Sequence, residues 1–197
     1  MRTATITRTT RETDIALQLN LEGSGQTSLN TGVGFFDHML DALSRFALVD
    51  LTLTCRGDTQ VDYHHTVEDM GIALGRAFAA ALGDMRGITR YGSMILPMDE
   101  VLMICAVDLS GRSALGYQVQ LPSARVGDFD TELAKEFWLG FVRSCPCSLH
   151  FQQMAGENTH HILEACFKGM GRALAQAVRI DEAHKNEVPS TKGVLVE

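Results

Sequence analysis

The sequence predicts an α+β fold built from two copies of one half-domain, each running strand, strand, helix, strand, helix (β-β-α-β-α), with the helices clustered together. Three observations carry that prediction. The motif Asp62-x-His64-His65-Thr66-Val67-Glu68 returns 96 positions later as Asn158-x-His160-His161-Ile162-Leu163-Glu164. The residues that follow return in register, Leu74-Gly75-Arg76-Ala77 matching Met170-Gly171-Arg172-Ala173. The order of strand-like and helix-like segments around each motif is also the same, which divides the chain into residues 1–92 and 93–197 acting as one functional unit.

Residues 3–9 alternate weakly, and Ile15, Leu17, Leu19 and Leu21 alternate strictly with polar neighbours, the period of a half-buried strand. Glu12 falls in the short connection between these strands. Gly23-Ser24-Gly25 is a turn signal, and the Gly-rich stretch from Thr31 opens a helix running to about Ala47. Residues 48–54 alternate as a strand, and Arg56-Gly57-Asp58 turns the chain into the first His-His-x-x-Glu motif. The run 71–81, rich in Ala, Leu and Arg, continues that motif as a helix. In the second half, residues 100–108 and 115–121 read as strands, 131–143 as a helix with Phe137, Trp138 and Phe141 on its apolar side, 148–154 as a strand and 165–178 as a helix. Ser123 to Asp130 is the most loop-like stretch. Met39, Met70, Met154 and Met170 lie among apolar residues and are expected to fill the core.

A chain of 197 residues can bury a substantial core. The net charge of −7, with no basic tract, argues against a nucleic-acid surface. No apolar run is long enough to span a bilayer, and the polar start Met1-Arg2-Thr3-Ala4-Thr5 lacks a signal-peptide core. Of the five cysteines, Cys55, Cys105 and Cys166 sit among apolar neighbours, and Cys145-Pro146-Cys147 has no second pair to make a zinc site. All five read as reduced thiols of a cytoplasmic protein.

Residues three and four apart share a helix face, whereas adjacent side chains diverge. Each His-His pair therefore splits between two metal ions, with Glu68 or Glu164 completing one site. A polar helix start favoured by the helix dipole would explain one copy; two copies in register call for ligands. His38 lies 26 residues before His64, and Glu136 lies 24 before His160, so the duplication makes Glu136 the counterpart of His38. His150 and His184 have no counterparts and read as structural or surface residues. The candidate set is thus His38, His64, His65, Glu68, Glu136, His160, His161 and Glu164. Imidazole and carboxylate without thiolate suit Mn, Fe, Co, Ni or Zn. Sites of about four protein ligands on a six-coordinate ion leave open positions for catalysis, and Mn2+ is the preferred assignment. Arg90 and Arg112, at strand ends, and the loop Pro189-Ser190-Thr191-Lys192-Gly193 offer the groups of a phosphate site.

The set Gly34-Phe35-Phe36-Asp37-His38-Met39-Leu40, the two His-His-x-x-Glu motifs, Arg90-Tyr91-Gly92, Pro97-Met98-Asp99-Glu100, Asp108-x-Ser110-Gly111-Arg112, Phe167-Lys168 and Pro189-Ser190-Thr191-Lys192-Gly193 resembles the imidazoleglycerol-phosphate dehydratase family of histidine biosynthesis. The resemblance runs from about Arg8 to Leu195. It implies half-domains of the ribosomal protein S5 domain 2-like, ferredoxin-like kind, two Mn2+ per subunit, and trimers assembled into a 24-mer with active sites between subunits. One metal would take His38, His65, His160 and Glu164. The other would take His64, Glu68, His161 and the residue at position 136, where many relatives have His and this chain has Glu136. Ala42 and Phe46 also depart, standing where relatives often have Gln and His. The resemblance makes Glu12 the general base beside the catalytic His64, Glu68, His161 and Glu164, and rests the substrate's phosphate on Arg90, Arg112, Ser190, Thr191 and Lys192. The implied reaction dehydrates D-erythro-imidazole-glycerol phosphate: the imidazolate expels hydroxide, a diazafulvene-like intermediate forms, and loss of the next carbon's proton leads to imidazole-acetol phosphate. Two rival readings are a two-metal phosphate-ester hydrolase and a non-catalytic metal store. The store leaves Glu12 and the phosphate groups without a task.

Overall fold

The alternation of Ile15, Leu17 and Leu19 with polar residues buries one face of a strand and exposes the other. In the computed structural model, which describes residues 1–195, this strand is β2 (Thr13–Asn20), beside β1 (Thr3–Thr9). β2 pairs antiparallel with β1 and with β4 (Asp50–Gly57), and β4 pairs parallel with β3 (Thr27–Asn30), in the order β1-β2-β4-β3. The helix α1 (Gly34–Ala47) joins β3 to β4, and α2 (His64–Leu82) follows β4. The second half repeats every pairing. Its strands β5 (Tyr91–Met98), β6 (Val101–Asp108), β7 (Ala114–Gln118) and β10 (Ser148–Ala155) run in the order β5-β6-β10-β7, with α3 (Leu133–Ser144) before β10 and α4 (Thr159–Ala177) after it.

The α+β duplication is therefore as the sequence predicts, with one strand more per half than the β-β-α-β-α expectation. The extra strands are β3 in the first half and β5 in the second. β3 has only four residues, and β5 contains Gly92 and Pro97. Both are edge strands, where a proline without an N–H is tolerated and the alternation signal is weak. The stretch 123–130 is also more ordered than its composition suggests. It forms a hairpin of β8 (Arg125–Val126) and β9 (Phe129–Asp130), which has no counterpart in the first half. Phe129 anchors it, its ring 5.2 Å from Phe35 and 5.9 Å from Phe36.

α1 and α2 cover the first sheet, α3 and α4 the second, and the two helix pairs meet across the halves, α1 on α4 and α2 on α3. Glycines permit the close approach. A Cβ on Gly75 would come within 2.5 Å of the Phe141 carbonyl oxygen, and one on its counterpart Gly171 within 2.6 Å of that of Leu43. Between the helices lies an aromatic core in which Phe137 stacks on Phe167 at 5.6 Å and Trp138 lies 5.0 Å from Phe167. Met39, Met70 and Met170 are fully buried there, but Met154 is 58% exposed. It sits where β10 loses register against β6 between Gln153 and Ala155, so the expectation of a core role for Met154 is corrected. All five cysteines are free and buried, and burial pushes Cys105 up to about 12. No helix among the described residues is long and apolar enough to cross a membrane.

Candidate metal centre

The helix of the second motif is capped by Asn158, and at the first the Asp62 side chain, one residue before the cap position Tyr63, accepts from the helix's first residue. The His64 N–H donates to Asp62 Oδ1 at 2.8 Å, and the His161 N–H donates to Asn158 Oδ1 at 3.2 Å. The paired rings then diverge as the helix dictates, at 90° for His64 and His65 and 83° for His160 and His161.

The packing of α1 on α4 brings His38 to the second motif. His38 Nε2 lies 3.5 Å from Glu164 Oε1, and His160 Nε2 lies 3.6 Å from Glu164 Oε2. One donor atom from each of His38, His160 and Glu164 falls within 4.8 Å of the others. Glu164 is only 8% exposed, so its charge sits in poor solvent and calls for a cation. Lys168, one turn on, provides one, its Nζ 2.9 Å from Glu164 Oε1. The donor set, two imidazoles and a carboxylate, fits a divalent transition metal with open positions.

The first motif makes the corresponding approach less tightly. His64 Nε2 lies 3.9 Å from Glu68 Oε2, and Arg143 of α3 lies 3.5 Å from Glu68 Oε1. Glu136 is half-buried on the first turn of α3 and makes no ion pair among the described residues. His65 and His161 turn away to carboxylates of their own. His65 Nδ1 is 3.0 Å from Asp58 Oδ2, with Glu12 Oε1 3.8 Å from its Nε2. His161 Nδ1 is 2.9 Å from Glu100 Oε2, with Asp99 Oδ2 3.5 Å from its Nε2. An imidazole whose Nδ1–H is held by a carboxylate presents Nε2 as a ligand, the usual outer-shell device of metal sites. Asp58 raises the pKa of His65 and Glu100 raises that of His161, while the His161 ring and the Asn158 N–H draw Glu100 down to about 2. Within one chain the eight candidates thus fall into a three-donor cluster, the pair His64 and Glu68, two carboxylate-held imidazoles, and Glu136.

Asp58, Asp99, Glu100, Lys168 and Arg143 are assigned no site role in the sequence reading, although Asp99, Glu100 and Lys168 belong to its motifs. A signal for Glu100 does exist. β1 and β2 start at residues 3 and 13, and β5 and β6 at 91 and 101, so Glu12 and Glu100 hold the same place immediately before a strand. The anion-binding candidates lie elsewhere, Arg90 at the end of the connection between the halves and the others on the second half. The Arg90 guanidinium donates to both oxygens of Asp108, at 2.7 and 3.2 Å, and to the Pro189 carbonyl at 2.8 Å. Arg112 is exposed, and its Nη1 reaches the Ser110 carbonyl at 3.4 Å. The Ser190 hydroxyl accepts from the Lys192 N–H at 3.2 Å, with Thr191 and Lys192 exposed beside it.

Comparison with known proteins agrees over the whole chain. The sequence profile of the imidazoleglycerol-phosphate dehydratase family matches residues 31–174. Proteins of that name from Jannaschia sp. (strain CCS1) and Dinoroseobacter shibae are 54% and 55% identical, each over 99% of this chain and 100% of its own length. The crystal structure of IGPD from Pyrococcus furiosus superposes with a TM-score of 0.83 at 37% identity, covering 96% of this chain and 100% of that one. A Staphylococcus aureus imidazoleglycerol-phosphate dehydratase superposes with a TM-score of 0.83 at 34% identity, over 91% of this chain and 99% of its own. A match of this extent, falling on the residues that build the site, makes the chain a member of the imidazoleglycerol-phosphate dehydratase family.

Proposed function

We propose that this chain is a hydro-lyase that converts D-erythro-imidazole-glycerol phosphate to imidazole-acetol phosphate and water, a step of histidine biosynthesis in the cytoplasm. The observation that carries the reading is the meeting of His38, His160 and Glu164 from opposite halves, on a chain whose full-length relatives bear the dehydratase name. Two Mn2+ ions per chain are assigned, one to His38, His65, His160 and Glu164 and one to His64, Glu68, His161 and Glu136. When bound, such ions supply Lewis acidity that favours the imidazolate of the substrate ring.

The chain's own groups do the rest. The C–O bond on the carbon next to the ring breaks and hydroxide leaves. Glu12 takes the proton from the neighbouring carbon, water forms, and the resulting enol becomes the ketone. Asp58 and Glu100 hold the rings of His65 and His161 in one orientation. Arg112, Ser190, Thr191 and Lys192, with Arg90, take the phosphate. Glu12 has a half-exposed side chain, and the Nε2 atoms of His65 and His161 face exposed carboxylates, Glu12 and Asp99, rather than the His38, His160 and Glu164 cluster. This supports sites completed between copies, in trimers that build a 24-mer.

The test is an assay for imidazole-acetol phosphate, run with metal analysis and particle mass on the purified protein. Ketone formation dependent on Mn2+ is expected, and Glu12→Gln should abolish it while keeping both metals. Release of inorganic phosphate without ketone would replace this reading with that of a phosphate-ester hydrolase.

A further inference from the structure

We infer that the connection between the two halves, residues 83–90, and the Asp108 carboxylate form the platform that positions the C-terminal loop Ser190-Thr191-Lys192, making Gly87 and Asp108 positioning residues for the substrate's phosphate. The inference rests on the dehydratase reading for the identity of the bound anion.

Contacts between the connection and the C-terminal segment recur along its length. Thr89 donates through its N–H and its hydroxyl to the Arg179 carbonyl, at 2.8 and 3.0 Å. Ile88 bridges Ile180. The Asp181 N–H donates to the Gly87 carbonyl at 2.7 Å, and the Gly87 N–H donates to the Glu187 carbonyl at 2.9 Å. Arg86 Nη1 donates to the Asn186 carbonyl at 2.9 Å. The last contact lies next to the loop itself, where Arg90 Nη1 donates to the Pro189 carbonyl at 2.8 Å. A segment without helix or strand structure of its own thereby receives its course from a neighbour whose ends are held by α2 and β5.

Two residues set this surface. Gly87 has φ +69, and a Cβ there would lie 2.6 Å from Lys185 Cα, so only glycine lets the two backbones approach. Arg90 has φ +73, and its backbone is pinned by its N–H to the Ala177 carbonyl at 2.9 Å and by its carbonyl to the Leu109 N–H at 3.1 Å. Its side chain is aimed by the two-pronged contact with Asp108, and its planar group lies 4.7 Å from the Tyr91 ring centre. Most of the Arg90 fork is therefore spent on protein groups. Asp108 determines where the remaining N–H groups point and where Pro189, next to Ser190, is held.

The experiment compares full-length, metal-loaded Asp108→Asn, Gly87→Ala, Ser190→Ala and the double variant Asp108→Asn/Ser190→Ala with the parent. A platform acting through the loop should raise KM and the inhibition constant of inorganic phosphate by about tenfold in Asp108→Asn, with kcat within about twofold and metal content unchanged. Asp108→Glu should recover part of the loss. The double variant should be less than additive, because both changes disable the same contact. Trypsin should cut Asp108→Asn and Gly87→Ala faster than the parent at Lys185 and Lys192, a readout that needs no catalysis. Parent protein that makes no ketone would defeat the dehydratase reading while leaving the cleavage comparison to judge the platform. An unchanged KM and cleavage rate in Asp108→Asn, or full additivity in the double variant, would overturn the platform.

Discussion

At Glu164 a nearly buried carboxylate faces two neutral-capable imidazoles and one ammonium. The Lys168 ammonium, 2.9 Å away, sits on Glu164 Oε1, the oxygen that also faces His38. Like charges at this range repel strongly even at an effective dielectric of about 20. Lys168→Met is therefore expected to bind Mn2+ about tenfold more tightly at the His38, His160 and Glu164 cluster, and Glu164→Gln to lose it, by titration calorimetry. Equal Mn2+ affinity in Lys168→Met and parent would mean that the ammonium yields without competing. The partly exposed pair His161 and Glu100 makes a pH prediction for the metal-free chain. Glu100, lowered to about 2, supplies stability present above its unfolded pKa and lost as pH falls towards 2; His161, raised, supplies stability present below its unfolded pKa and lost as pH rises through its folded one. The pair thus contributes most in mildly acidic solution. Glu100→Gln should lower the midpoint of the His161 ring titration seen by NMR, and a midpoint that stays put would refute the pairing.

Two devices act on the helices, the Asn158 cap at the start of α4 and glycines along the sides of α2 and α4. Asp62 and Asn158 hold the same place before the two motifs, so Asn158→Ala should lower stability by about 1 kcal/mol in urea unfolding. Gly75→Val inserts a branched side chain where a single Cβ already meets the Phe141 carbonyl at 2.5 Å. It should cost about 3 kcal/mol or prevent folding, and a urea midpoint equal to the parent's would rule out the close approach of α2 and α3. The strand signals were legible in β2, which alternates strictly because one face is buried, and in β6, a continuous apolar run. They were not legible in β3, too short to show a period, or in β5, where both faces carry apolar residues. The β8–β9 hairpin was hidden because its order comes from Phe129 reaching Phe35 and Phe36, contacts distant in sequence.

The exchange of helix partners makes the whole chain the folding unit. Each half leaves an apolar helix face that only the other half covers, α1 with α4 and α2 with α3. Residues 1–90 and 91–197, cut before β5 rather than within it, should lack cooperative unfolding by circular dichroism when expressed separately and regain it when mixed. Either fragment melting cooperatively alone would show that the halves are independent domains. The same exchange explains why the candidate donor cluster takes His38 from one half and His160 with Glu164 from the other. A repeat in sequence identifies candidate ligands but does not state which of them share a pocket.

Sequence alone determined the duplication, the fold class and the helix starts at both His-His pairs, because each is written in local spacing. Tertiary structure decided which donors meet: the crossing of α1 over α4 gathers three of them, and Asp58 and Glu100 claim two other imidazoles. It also decided that Arg90 is engaged by Asp108 and Pro189, which are 18 and 99 residues away. Those outcomes depend on packing between segments far apart in the chain, and no periodicity or motif within either segment encodes them.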